Sequence, residues 1–202
     1  MAKKFTESEK AAVREKLRSV GRELFIESGL QKTAVADIAS RVGVAPGTFY
    51  LFYASKEALF FDILQLEEER IRTSLIDTHL ASEKPMTRER FEAFLLDSMV
   101  SVAAHPLLRH LNDERVMAQL FRKLPPETLA AHAEHDTEAL APWIRKGQRE
   151  GWLANIEPGA IVGVIRSLVL LSFQKERIGE EVYEPTLRLL ARFAAQGMIV
   201  ET

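Results

Sequence analysis

Residues 33–59 read Thr33-Ala-Val-Ala-Asp-Ile-Ala-Ser-Arg-Val-Gly-Val-Ala-Pro-Gly-Thr-Phe-Tyr-Leu-Phe-Tyr-Ala-Ser-Lys-Glu-Ala-Leu59. Val35, Ile38, Ala39 and Val42 fall on one helical face, so a helix is predicted over 33–42, preceded by Thr33 or Ala34, of which Thr33 is the better N-cap. Gly43 breaks the pattern, a second short helix is predicted over 45–52, and Ser55 caps a long third helix reaching about His79. Two short helices around a glycine make a helix-turn-helix when three conditions are met. A small residue must stand where the helices cross, which Ala39 supplies. A glycine must take positive φ in the turn, as Gly43 can, and an apolar residue must follow it, as Val44 does. In such a motif the start of the second helix enters the major groove of DNA and must be compact or polar. Ala45, Pro46, Gly47 and Thr48 meet that demand. Tyr50 can offer a hydroxyl to a phosphate. Lys56 stands at a helix start, where backbone N–H groups and the positive helix end favour the same anion.

This stretch resembles the TetR family of bacterial transcription regulators. The likeness is carried by Gly29, Thr33, Val35, Asp37-Ile38-Ala39, Gly43-Val44, Gly47-Thr48-Phe49-Tyr50 and Ser55-Lys56-Glu57-Ala58-Leu59. The resemblance implies an all-α protein with a helix-turn-helix head over 1–55 and a helical effector-binding and dimerisation domain over 56–202. It implies phosphate contacts from Thr33, Tyr50 and Lys56, with Ala45–Thr48 in the groove. It also implies a double-stranded DNA operator, a homodimer and a small-molecule effector, and repression is the family's usual mode. One departure stands out: the family orders an aromatic pair Tyr-Phe where this chain has Phe52-Tyr53. A hydroxyl contact to DNA is lost if Phe52 is the exposed member, and Tyr53 needs a hydrogen-bond partner if it is the buried one.

The rest of the 202-residue chain also reads as helical. A first helix is predicted over 9–28, ended by Gly29. Later helices are predicted over 87–104, 113–124, from Pro126 towards Glu150 with a kink at Pro142, from Pro158 to about Lys175, and over about 182–198, where Pro185 is a candidate to start the helix rather than interrupt it. Residues 1–56 hold ten Lys/Arg against six Asp/Glu, and residues 57–202 hold 17 against 23, so a basic head precedes an acidic body. A phosphate-binding surface wants that asymmetry.

Other function classes find little support. The absence of cysteine removes disulfides, thiolate metal sites and a thiol nucleophile. The charged start does not read as a secretory signal, and the longest apolar run, Ala160–Phe173, is interrupted by Arg166 and shorter than a span, so a cytoplasmic protein is expected. His132 and His135 lie three apart, but a third metal ligand is not evident. No phosphate-cradling or nucleophile-elbow motif is present, so an enzyme is not expected, and neither is a cofactor.

Within the body, the helix from Pro158 is apolar nearly all round, and Gly159 and Gly163 would let another helix approach. With the stripe Leu187, Leu190, Ala191, Ala194 and Ala195 it suits a four-helix dimer interface. A hydrophobic effector pocket is expected from Phe91, Phe94, Met99, Leu108, Phe121 and Trp143, with His110 and Asn112 as polar handles. Of these, Phe94, His110, Phe121 and Trp143 are the principal candidates. The helix after Ser55 joins head to body and is expected to carry the effector's signal.

Overall fold

The structure, a computed structural model, describes residues 5–81 and 86–200, without the side chains of residues 130 and 132–134. Ten α-helices are described: α1 Glu7–Lys32, α2 Val35–Val42, α3 Pro46–Phe49, α4 Lys56–Leu75, α5 Arg88–Ala104, α6 Glu114–Lys123, α7 Pro126–Glu150, α8 Pro158–Leu171, α9 Lys175–Ile178 and α10 Glu180–Met198. A π-helical turn at Ile76–Leu80 continues α4, and a 3-10 turn at Leu108–Asn112 precedes α6. Among the described residues the only β-type pairing is an isolated bridge between Leu153 and Ile199. The all-α class expected from the sequence is what the chain adopts.

The predicted punctuation is mostly where the chain turns. Thr6 caps α1 through a reciprocal box with Glu9. Gly29 has φ 74° and interrupts α1 near the predicted stop. Ser55 Oγ accepts from the Ala58 N–H at 3.2 Å, while Thr87 and Asp113 cap α5 and α6.

Three expectations need correction. Thr33 is not the N-cap of α2; Ala34 is, without a side-chain bond, because the Thr33 hydroxyl is turned back to α1. Pro185 lies inside α10, which begins at Glu180 after Gly179. The segment predicted as one helix to Lys175 ends at Leu171, with α9 as a separate turn. Helix α7 runs from Pro126 to Glu150 with Pro142 inside it, the single helix the sequence predicts.

The chain forms two compact units: 1–67 with 106–126, and 68–105 with 127–202. Packing thus groups 56–67 and 106–126 with the head, whereas the sequence places a change of role at residue 56. In the first unit Leu17, Phe25, Ile38, Ala39, Phe49, Leu59 and Phe60 are buried, and Phe25 meets Phe60 edge-on at 5.0 Å. Gly21 lets α1 and α4 touch there, since a Cβ would come within 2.9 Å of Leu59. In the second unit α10 lies against α5 and α8, around a core that includes Phe91, Leu95, Met99, Ile144, Ile161, Val162, Ala191 and Ala195.

Candidate nucleic-acid interface

The turn between α2 and α3 is set by its glycine. Gly43 has φ 82° and ψ 32°, the left-handed region that glycine enters without strain. The N–H groups of Gly43 and Val44 both donate to the Ala39 carbonyl at 3.0 Å, closing the end of α2. A Cβ on Gly43 would meet nothing within 4 Å, so its backbone angles, not crowding, call for glycine. Ala39, at the crossing, is wholly buried. Proline suits the first position of α3, where its missing N–H is not needed.

Helix α3 is anchored by Phe49, wholly buried, while Tyr50 is 58% and Leu51 71% exposed. Ala45, Pro46 and Gly47 are exposed and Thr48 is half-buried. The predicted groove-facing residues are therefore accessible, Thr48 in part, and so is Tyr50 after them. Gly47 adds a specific observation: a Cβ there would meet nothing within 4 Å, and its φ is not positive. Nothing inside the chain requires glycine at that position.

Thr33 and Lys56 are placed differently. Thr33 is only 3% exposed, and its hydroxyl lies 2.8 Å from the Gly29 carbonyl and 3.3 Å from that of Leu24. The Lys56 ammonium donates to the carbonyls of Leu30 at 2.7 Å, Gln31 at 3.1 Å and Thr33 at 2.7 Å. A helix end leaves its last carbonyls without intrahelical partners. These two side chains supply the missing donors where α1 gives way to α2. Sequence reasoning missed this role because it requires knowing which helix start lies beside which helix end.

The aromatic inversion is also resolved. Tyr53 is buried and its hydroxyl donates to Asp62, which also receives two bonds from Arg18 at 2.8 and 3.0 Å. Burial, and then the Asp62 carboxylate, push the Tyr53 phenol well above its ordinary pKa. Phe52 is the half-buried member, and the Phe5 ring meets it edge-on at 6.2 Å. In the same unit Gln119 on α6 donates to Glu57 at 2.6 Å. Burial alone would raise the Glu57 carboxyl. The bonds from Gln119, its own backbone N–H and Ser55 outweigh burial and hold it below its ordinary value.

The predicted effector residues divide between the units. Phe94 and Trp143 belong to the second, where both pack on Phe91, at 5.7 and 5.5 Å, as part of the core. His110 and Phe121 belong to the first. His110 lies 3.7 Å from where a Cβ on Gly29 would stand, and Phe121 is 62% exposed. The second unit has a groove of about 560 Å³ between α5 and α10, floored by Leu96, Met99, Ala103 and Leu187 and edged by Asp97 and Arg188. Of the sequence candidates, only Met99 lines it. The side chains of His132 and Glu134 lie outside the described residues. Among those described, His135 pairs with Glu69, Asp136 pairs with Arg72 and Arg166, and no group of three potential metal ligands occurs.

The same second unit leaves several large apolar side chains uncovered. Val164 and Leu170 on α8 and Val182, Leu189 and Phe193 on α10 are exposed, while Ile161, Ile165, Leu168, Leu187, Ala191 and Ala195 cover the core. A Cβ on Gly163 would meet nothing within 4 Å. No described helix is long and apolar enough to cross a membrane.

Residues 17–63 match the family model described as bacterial regulatory proteins, tetR family. A 45-residue stretch is 44% identical to the uncharacterized HTH-type transcriptional regulator YvdT of Bacillus subtilis, covering 22% of this chain and 23% of that protein. The HTH-type transcriptional regulator UidR of Escherichia coli K12 is 24% identical over 147 residues, which cover 72% of this chain and 71% of UidR. Among solved structures, a TetR-family transcriptional regulator from Pectobacterium atrosepticum has a TM-score of 0.71 at 18% identity, covering 98% of this chain and 99% of that one. A TetR transcription regulator from Haloarcula marismortui has a TM-score of 0.65 at 18% identity, covering 94% and 100% respectively. These structural likenesses speak to the fold.

Proposed function

We propose that the chain, whose residues 17–63 match the tetR family model, is a homodimeric repressor of that family, released from a palindromic operator by a small hydrophobic ligand. Ala45, Pro46, Gly47 and Thr48 enter the major groove, and Tyr50 holds a phosphate. Thr33 and Lys56 act one step back, joining the end of α1 to the start of α2 and so setting the angle at which α3 is presented. The observation that carries the DNA reading is Gly47: the chain has no internal need for it, so a close external surface gives the reason. With few hydrogen-bonding groups on this edge, sequence discrimination rests on apolar contacts with thymine methyls and on DNA shape.

The exposed face of α8 and α10 supports self-association, which a palindrome requires, with half-sites separated by multiples of about 34–36 Å. The groove between α5 and α10 supports an amphipathic effector; its volume suits a small molecule. Phe94 and Trp143 form the packed wall rather than the lining in this reading. Release follows if the effector prefers a dimer whose α3 helices stand at the wrong separation, with α4 carrying the change.

The test starts with a duplex selected by the protein from random DNA. Gly47→Ala should bind it about tenfold more weakly, the scale of one lost base contact. Its thermal unfolding midpoint should stay level or rise, because alanine is the better helix former by up to about 1 kcal/mol. Equal affinity for the variant would count against the groove assignment.

A further inference from the structure

We infer that the groove between α5 and α10 is a site for an amphipathic organic ammonium ion, whose charge takes Asp97 away from His79 and so unfastens the turn that ends α4. The inference rests on the effector reading of that groove. It names the ligand's chemistry and the side chain through which its arrival is felt.

The ligand's character follows from the lining. Leu96, Val100 and Ala103 on α5 and Leu187 on α10 offer an apolar bed. Val100 is exposed there, a surface that an alkyl chain would cover with gain. Asp97 and Glu184 bring two carboxylates to the same lining, against one guanidinium from Arg188. Arg188 is exposed, and its long stem lets that charge lie in water. Tyr183 adds an aromatic ring, held by a hydrogen bond from its hydroxyl to the Ser172 carbonyl. Burial, and then the Glu184 carboxylate, push the Tyr183 phenol above its ordinary pKa, so the Glu184 charge is felt along this wall. Carboxylates together with an aromatic ring favour a cation with a carbon-rich surface, such as a quaternary ammonium.

Asp97 has a second engagement. The His79 Nε2 lies 2.9 Å from its carboxylate, and the His79 ring meets Phe94 edge-on at 6.1 Å. His79 belongs to the π-helical turn Ile76–Leu80, which the Ala81 N–H closes on the Ile76 carbonyl at 2.9 Å. Arg90 on α5 donates to the His79 carbonyl at 2.9 Å. One residue of the turn is thus tied to α5 through both its side chain and its backbone. Single π-turns are rare and recur at functional sites. Each holds one more residue than the α-turn it replaces, so it can reset only when its ties let go. Asp97 is exposed, and a pair so open to water is weak. An ammonium ion in the groove therefore competes with His79 for the same carboxylate.

The experiment titrates the full chain, by calorimetry, with octyltrimethylammonium and with octanoate and octanol as matched anionic and neutral probes. The ammonium should bind most tightly. Asp97→Asn and Glu184→Gln should each weaken it by about fivefold, the upper range of an exposed charge pair, and leave octanol unchanged. His79→Leu removes the competitor for Asp97 and should tighten the ammonium by up to about fivefold. A pair with only a structural role would leave that affinity level or lower it. Unfolding midpoints check the fold of each variant. On the selected duplex the ammonium should release the parent chain, and release His79→Leu at a lower concentration. Octanoate or octanol binding as tightly as the ammonium overturns the cation assignment and leaves the groove an effector site. An ammonium affinity that His79→Leu fails to raise overturns the competition for Asp97. Carboxylate-dependent binding that leaves DNA affinity unchanged overturns the effector reading and spares the cation site. Failure of all three probes to bind removes the groove as a ligand site.

Discussion

Lys56 shows how one residue can serve two readings. By position it is a cation at a helix start after the turn proposed to face DNA, and such a residue naturally suggests phosphate. By geometry its three ammonium hydrogens meet three carbonyls at the junction of α1 and α2. Replacing it with methionine keeps the stem and strands those acceptors. Hydrogen bonds to charged groups contribute about 1.5–3 kcal/mol, so Lys56→Met should lower unfolding stability by about 2 kcal/mol. It should weaken DNA binding through that loss of order. Denaturant unfolding read beside gel shift checks this: a variant with full stability and lost affinity would return Lys56 to the phosphate role. The residue types and spacings of the turn were legible in the sequence because Gly43, Ala39 and Phe49 answer to local backbone and packing rules. The partners of Thr33, Lys56 and Tyr53 were not, because they lie on segments distant in sequence, as Asp62 and Arg18 do for Tyr53.

Among the elements, α6 is the one whose place the periodicity does not disclose. Its limits were readable from the Asp113 cap and the two prolines after Leu124. That it packs in the same unit as α1–α3 was not, because long-range association leaves no local pattern. The Gln119–Glu57 bond is its polar tie to the start of α4, and it gives the first unit a pH signature. The Glu57 carboxyl lies below its ordinary value of 4.5 in the folded chain. A lowered carboxyl contributes stability that is fully present above the unfolded value and disappears as pH falls through the folded one. Stability should therefore decline on acidification below about pH 4.5, and Glu57→Gln should flatten that decline. Gln119→Ala should flatten it in part, since it removes one of the bonds that lower the carboxyl. Denaturant midpoints measured down the acid limb for all three proteins decide the matter; parallel curves would remove Glu57 from the account.

At the scale of the molecule, the proposed reading of a palindrome calls for two copies of the chain. Helix α8 was readable as apolar on nearly every side, but sequence cannot separate a core face from an interface face, since both are built of the same residues. The structure divides them: Ile161, Ile165 and Leu168 are buried, while Val164 and Leu170, like Phe193 and Leu189 of α10, are exposed. The effector site was least legible for a related reason. Aromatic residues chosen as cavity walls, Phe94 and Trp143, stack on Phe91 and fill the core. The groove is lined instead by a mixture of aliphatic, small and charged residues, such as Leu96, Ala103, Asp97 and Arg188, that carries no distinguishing pattern. If the exposed face is the dimer seam, Phe193→Glu places like charges across it while disturbing little of the monomer, because Phe193 is 57% exposed. Light scattering should then report a monomer with helical content retained. Affinity for a palindrome should fall by about 10²–10⁴, the gain that tethering a second half-site supplies. Affinity for a single half-site should stay that of the parent, because α3 is untouched. Equal losses on the half-site and the palindrome would point to a damaged head, and a variant that remains dimeric would move the seam off α8 and α10.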